Sequence, residues 1–106
     1  MRLGLLEELV SDYLPEITRL VGVLAAAARA QDLPRVQETL HALLGMSGEA
    51  GALALYRLVR HIYVPVLEER RWPPEQDWLQ QIEQVAQRTD EALRGWSGHQ
   101  LAPRIG

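Results

Sequence analysis

The sequence contains no cysteine, and this absence excludes disulfide bonds, thiolate metal ligands and thiol catalysis. It contains no lysine either, since its 11 basic residues are all arginines. The net charge is −3, whereas a domain that binds nucleic acid needs a basic stripe and is usually basic overall. We therefore expect no nucleic-acid partner.

Long apolar runs are missing as well. The longest run, residues 20–28, is less than half of the about 20 residues that a membrane-spanning helix needs. Small residues at 26–30 look like a signal-peptidase site, but acidic residues precede them where a basic end and an apolar region should be: Glu7, Glu8, Asp12 and Glu16. We expect a soluble, cytoplasmic protein without membrane insertion.

Apolar residues recur with a helical period along the whole chain, and no alternating pattern indicates a strand. Pro15 should interrupt a short first helix, and a second helix should continue from there to about Gln31. Asp32 is a good N-cap for the third helix, with Pro34 in its first turn. The sequence pattern of the first half of the chain thus predicts helices separated by short connections.

Glycine and proline also divide the second half of the chain. Gly48 and Gly51 weaken the third helix and allow the chain to reverse its direction. Pro65 should kink the fourth helix or end it near Val64. A break follows at the Trp-Pro-Pro-Glu segment, residues 72–75.

The last helix should begin near Pro74 and stop at Gly95. The chain of 106 residues is long enough for one hydrophobic core. Four longer helices with short connections predict an all-α, up-and-down antiparallel four-helix bundle with a short extra N-terminal helix. We assign residues 1–95 to this bundle and expect residues 96–106 to form a mobile tail.

His41 lies on the side of the third helix that faces away from the core. At 3.6 residues per turn the apolar stripe contains Leu33, Val36, Leu40, Leu43, Ser47 and Ala50. The histidine lies opposite, with Gln37, Glu38, Gly45 and Gly48 around it. Gly45 costs the helix roughly 1 kcal/mol relative to alanine. Close approach of another surface to His41 would explain why a glycine stands there.

This arrangement resembles the histidine-phosphotransfer (HPt) domain of bacterial multistep phosphorelays. The family motif reads approximately His-x-Leu-Lys-Gly-x-Ser/Ala, with a further glycine ten residues after the histidine. The matching positions here are His41, Leu43, Gly45, Ser47 and Gly51. Leu44 departs from the motif, because it stands where the family usually has lysine, and it removes a positive charge from beside the histidine. The resemblance covers about residues 3–95.

The resemblance implies a phosphoryl carrier without an independent catalytic site. A ring nitrogen of neutral His41, Nε2, would attack an aspartyl phosphate on a receiver domain and then pass the group to another receiver. The implied partners are a response-regulator receiver domain and a hybrid sensor kinase. The receiver would bring Mg²⁺, and this chain would need no cofactor or metal of its own. We expect a monomer.

Docking or support around the histidine is assigned to six residues: Gln37, Glu38, Leu44, Gly45, Ser47 and Gly48. Among these, Gln37 or Glu38 is expected to accept the Nδ1 proton of His41, which would leave Nε2 free as the nucleophile. Arg57 or Arg60 on the next helix is a candidate to replace the missing lysine.

Two other functions remain open at this stage. An HPt-fold module that docks on a receiver or kinase without phosphotransfer would use Leu44 as an apolar contact. A bundle that only dimerises, with a surface histidine of no function, is the third interpretation. The glycines at 45, 48 and 51 lack the preceding strand and the Gly-Lys-Ser/Thr ending of a P-loop. His41, His61 and His99 show no zinc-ligand spacing.

Overall fold

The structure is a computed structural model that describes the backbone of residues 9–101 and the side chains of residues 11–95. This part of the chain contains a π-helical turn, four α-helices and no strand. The π-helical turn spans Leu9–Tyr13, and the α-helices are α1 (Leu14–Arg29), α2 (Leu33–Ala50), α3 (Leu53–Glu69) and α4 (Trp78–Leu101). The predicted all-α class is confirmed.

The four α-helices form one closed bundle. Each helix packs against its neighbours in sequence, and α4 also packs against α1. The chain reverses over residues 30–32 and again over residues 51–52, so consecutive helices are antiparallel. The π-helical turn contacts α1, α2 and α4. The predicted up-and-down four-helix bundle is therefore confirmed.

Apolar side chains from all four helices fill the centre of the bundle. Full burial of a Val, Leu or Ile side chain contributes about 1.5–3 kcal/mol. The side chains with no exposed surface include Leu24, Val36, Leu40, Leu43, Leu55, Val59, Val66 and Ile82. The helix that contains His41 supplies three of these, so the core fixes its rotation about its own axis.

The ends of α2 follow the prediction. The Asp32 carboxylate accepts a hydrogen bond from the backbone N–H of Arg35 at 3.2 Å, and Pro34 lies in the first turn. Gly51 is the C-cap with φ of 72°, a left-handed conformation that glycine adopts without a side-chain penalty. Gly48 does not end the helix and lies inside it.

The predicted start of the second helix at Pro15 is confirmed, whereas the fourth predicted helix does not end near Val64. The π-helical turn leads into α1 without a loop, and Pro15 lies in the first turn of α1. A π-type turn is wider than an α turn and accommodates the proline ring in continuous helix. Pro65 lies inside α3, which continues to Glu69 because Tyr63 and Val66 around it are buried. The extra N-terminal helix was predicted from about Leu3 to Tyr13; its described part, Leu9–Tyr13, is a π-helical turn, and the rest of it lies outside the described residues.

The bounds of the last helix also differ from the prediction. The break at residues 72–75 is present, but α4 begins at Trp78 and not near Pro74. It continues past Gly95 to Leu101, so Gly95 is not its stop. A helix-interior glycine costs only about 1 kcal/mol and does not by itself end a helix. Whether residues 96–106 form a mobile tail stays a prediction.

The candidate site at His41

His41 is exposed on α2, and Leu40 and Leu43 beside it in sequence are fully buried. Because core packing holds those leucines inward, the imidazole is directed to the surface. The prediction that His41 is displayed away from the core is confirmed.

The neighbouring helix contacts the imidazole through Tyr63. The Tyr63 hydroxyl oxygen lies 3.2 Å from Nδ1 of His41. The two ring centroids are 5.8 Å apart with an interplanar angle of 46°. Tyr63 is itself only 8% exposed, so its ring position is set by the core between α2 and α3. The histidine is thus held at the nitrogen nearer its backbone.

This contact engages Nδ1 and leaves Nε2 without a hydrogen-bond partner among the described residues. A tyrosine hydroxyl can accept a hydrogen bond from Nδ1–H or donate one to an unprotonated Nδ1. When Nδ1–H is the donor, Nε2 has the free lone pair, and the residue that carries it is exposed. An exposed Nε2 on a ring oriented through Nδ1 is a suitable nucleophile.

The predicted acceptors for the Nδ1 proton were wrong. Gln37 is half-buried and Glu38 is exposed, and within the described residues neither makes a hydrogen bond to His41. Sequence spacing identified candidates on the same helix, whereas the actual partner is 22 positions away on α3. One available signal was the seven-residue spacing of Tyr56 and Tyr63, which places two aromatic residues on one face of α3.

Gly45 and Gly48 border the histidine along α2. A Cβ added at Gly45 would meet no atom within 4 Å, so packing inside this chain does not require glycine there. A Cβ at Gly48 would lie 3.4 Å from the ring of Tyr56, which is ordinary contact. No side chain therefore covers the helix backbone at Gly45, next to His41, while the Tyr56 ring lies beside Gly48.

Leu44 and Ser47 have less access to a partner than the sequence suggested. Leu44 is half-buried and packs against the core. Ser47 is fully buried, and its hydroxyl donates to the carbonyl oxygen of Leu43 at 2.7 Å. It was assigned to docking or support, and this position is compatible only with support, because a docked protein cannot contact a fully buried residue. Ser47 instead fills the core as a small residue with a satisfied hydroxyl.

Other polar groups near α3 make no hydrogen bond to His41 in the described part of the chain. His61 is exposed, with its Nε2 atom 3.1 Å from a carboxylate oxygen of Glu75. Arg57 and Arg60 are exposed on the same helix. Among the described residues, no group of three or more His, Asp or Glu side chains is arranged to hold a metal ion. Trp72 packs its ring 6.5 Å from that of the buried Trp78.

A family model described as "Hpt domain" matches residues 8–93, which is most of the chain. The chain belongs to the Hpt domain family. Hpt domains take part in histidine phosphotransfer in phosphorelays, with receiver domains as partners. Comparisons with curated proteins and with solved structures found no significant match. Within the described residues, no helix is long and apolar enough to cross a membrane.

Proposed function

We propose that this Hpt domain accepts a phosphoryl group on Nε2 of His41 from a receiver aspartate and passes it to a second receiver. The observation that supports this most directly is the exposed imidazole whose Nδ1 atom lies 3.2 Å from the Tyr63 hydroxyl. A surface histidine without a function needs no such partner from a neighbouring helix. Here the partner orients the ring and leaves Nε2 toward solvent.

The transfer is one substitution at phosphorus. The Nε2 lone pair attacks the phosphorus of the aspartyl phosphate, the bond from phosphorus to the carboxylate oxygen breaks, and the receiver regains its free carboxylate. The imidazole gains positive charge and retains its Nδ1 proton. Its Nδ1–H group donates a hydrogen bond to the Tyr63 hydroxyl oxygen. Transfer to the second receiver is the reverse step. Positioning and electrostatics dominate such reactions.

The surface that meets the receiver centres on His41 and the open backbone at Gly45. Gln37 and Glu38 lie one turn before the histidine and form its other border. The absence of a side chain at Gly45 lets the receiver approach Nε2 closely. In this proposal the receiver supplies Mg²⁺, and the described residues here supply the nucleophile and the docking surface. The phosphoryl donor upstream is a hybrid sensor kinase, and the Hpt domain acts as a monomer.

The alternative is an interaction module that docks without accepting phosphate. Its support from the sequence was an exposed apolar Leu44 beside the histidine. Because Leu44 is half-buried against the core, it offers less apolar area to a partner than a fully exposed leucine would. The experiment described next distinguishes this alternative from the proposed phosphotransfer.

A two-receiver exchange experiment tests the proposal. One receiver is phosphorylated with a radioactive label, separated from its donor, mixed with the Hpt domain and then with a second receiver. We expect label to move from the first receiver to the Hpt domain and on to the second. Receiver binding without any label on the Hpt domain would support the interaction module instead. Size measurement of the free protein tests the monomer.

A further inference from the structure

No cation on α2 lies on the His41 side within one turn of the histidine. A phosphoryl group at Nε2 is negatively charged, and a positive group aimed at its oxygens stabilises the transferring state. The one arginine of α2, Arg35, is six positions before His41 and about 120° around the helix. Leu44, nearly one turn after the histidine, is apolar. Any cation from this chain must therefore come from a neighbouring element.

Two contacts define the register of α2 against α3. His41 contacts Tyr63, and the Tyr56 ring lies against Gly48. Gly48 is seven residues after His41, and Tyr56 is seven residues before Tyr63. Seven residues of α2 therefore span the same length of this interface as seven residues of α3, which runs in the opposite direction. A position three residues after His41 lies level with the position three residues before Tyr63.

Those two level positions are Leu44 and Arg60. Arg60 thus lies about 4.5 Å along the helix axis from the level of His41. It is four residues after Tyr56 and three before Tyr63, which is the spacing of side chains on one helix face. It is exposed, and no carboxylate among the described residues lies within ion-pair distance of it. Its guanidinium is free to bind an anion.

Arg57 provides an internal comparison. It is also exposed and makes no ion pair with the described residues. However, it lies about 100° around α3 from Tyr56 and about 120° from Tyr63, away from the α2 side. Both arginines border a shallow surface hollow of about 410 Å³. Of the two, Arg60 lies nearer the tyrosine face of α3, about 40° around the helix from Tyr56 and about 60° from Tyr63.

We propose that Arg60 is the cation that stabilises the phosphoryl group on His41. It lies level with Leu44, the position at which α2 has an apolar residue and no charge. This inference rests on the proposed function and adds a catalytic residue to it. The planar guanidinium can donate two parallel N–H groups to phosphoryl oxygens. Its three-methylene stem can lie along the half-buried Leu44 while the charged end stays in water.

A small donor tests this role without a receiver. Phosphoramidate transfers its phosphoryl group to histidine, with cleavage of its phosphorus–nitrogen bond, release of ammonia and formation of the Nε2–phosphorus bond. Loading of the full chain is followed by ³¹P NMR. We expect Arg60→Gln to slow loading about five- to tenfold, since a factor of ten corresponds to about 1.4 kcal/mol. The matched variant Arg57→Gln should slow it less than about twofold, because that side chain faces away.

A charge-relocation variant makes the test specific. Adding Leu44→Lys to Arg60→Gln places a cation at the same level on the other helix, and it should restore most of the loading rate. Four results would each overturn the role of Arg60. Two concern the single variants: equal slowing by Arg57→Gln and Arg60→Gln, or no slowing by Arg60→Gln. The other two are a failure of Leu44→Lys to restore loading and a failure of the wild type to load. Circular dichroism establishes that each variant is folded.

Measurements on the same proteins distinguish failure of this inference from failure of the proposed function. If phosphoramidate loading depends on Arg60 but no receiver exchanges label with the wild type, the proposed relay function fails and the role of Arg60 stands. If receivers exchange label with the wild type and Arg60→Gln loads as fast as the wild type, only the role of Arg60 fails.

Discussion

Tyr63 and His41 meet across the interface of α2 and α3, with the tyrosine hydroxyl 3.2 Å from Nδ1 of the imidazole. The tyrosine ring belongs to the core, whereas the histidine ring belongs to the surface. The contact thus connects the interior of the bundle to the imidazole that we propose as the nucleophile. A tyrosine hydroxyl is a neutral partner, so its main effect is to orient the ring and favour one tautomer.

Replacement of Tyr63 by phenylalanine tests this orientation. Tyr63→Phe keeps the buried ring and removes only the hydroxyl group. A neutral hydrogen bond contributes about 0.5–1.5 kcal/mol, so we expect phosphotransfer from a receiver to slow about three- to tenfold. Single-turnover transfer rates measure the effect, and urea unfolding should show a loss below about 1 kcal/mol.

Tyr13→Phe is the control for that variant. Tyr13 is half-buried against the core next to α1, and its hydroxyl has no hydrogen-bond partner among the described residues. Its transfer rate should equal that of the wild type. Equal rates for both variants would show that the Tyr63 hydroxyl does not act on His41.

A second prediction concerns the open surface at Gly45. Gly45→Leu should stabilise the folded state by up to about 1 kcal/mol, because leucine is the better helix former. It should nevertheless slow transfer about tenfold or more, since a side chain there would lie between Nε2 and the receiver. Thermal unfolding and transfer rate are measured on the same preparation.

Gly22→Leu provides the matched comparison. Gly22 is exposed in the interior of α1, and a Cβ there would also meet no atom within 4 Å. This variant should gain similar stability and keep the wild-type transfer rate. If both leucine variants transfer normally, docking does not explain Gly45.

A third prediction concerns the end of α2. Gly51 has φ of 72°, and a side chain in the left-handed region costs about 1–2 kcal/mol. Gly51→Ala should therefore lower the free energy of unfolding by about that amount, as measured by urea denaturation. Gly22→Ala, in regular helix, should raise it by about 0.5–1 kcal/mol. A stabilising Gly51→Ala would mean that residue 51 does not adopt the left-handed conformation.

The sequence allowed the helices and the exposure of His41 to be predicted, because both depend on local periodicity and capping. Asp32 and Gly51 mark the ends of α2 through interactions within a few residues. Of the two effects expected of Pro65, a kink or a helix end near Val64, the end was wrong, because packing of the buried residues around the proline outweighs a local helix-breaking tendency.

The partner of His41 required information that the sequence alone does not provide. Contact between His41 and Tyr63 depends on the register of two helices, which is set by packing across the whole interface. The same register places Arg60 level with Leu44, so the choice between Arg57 and Arg60 also needed the structure. Burial of Ser47 followed from the helical period, which placed it on the apolar stripe of α2.

The most direct test of the account is the location of phosphate after incubation with a phosphorylated receiver. Label on the wild-type chain should be acid-labile and alkali-stable, and mass spectrometry should place it on His41. The exposed His41→Gln variant should take no label and change the free energy of unfolding by less than about 0.5 kcal/mol. Persistent labelling of a folded His41→Gln protein, or label at another residue of the wild type, would contradict the account.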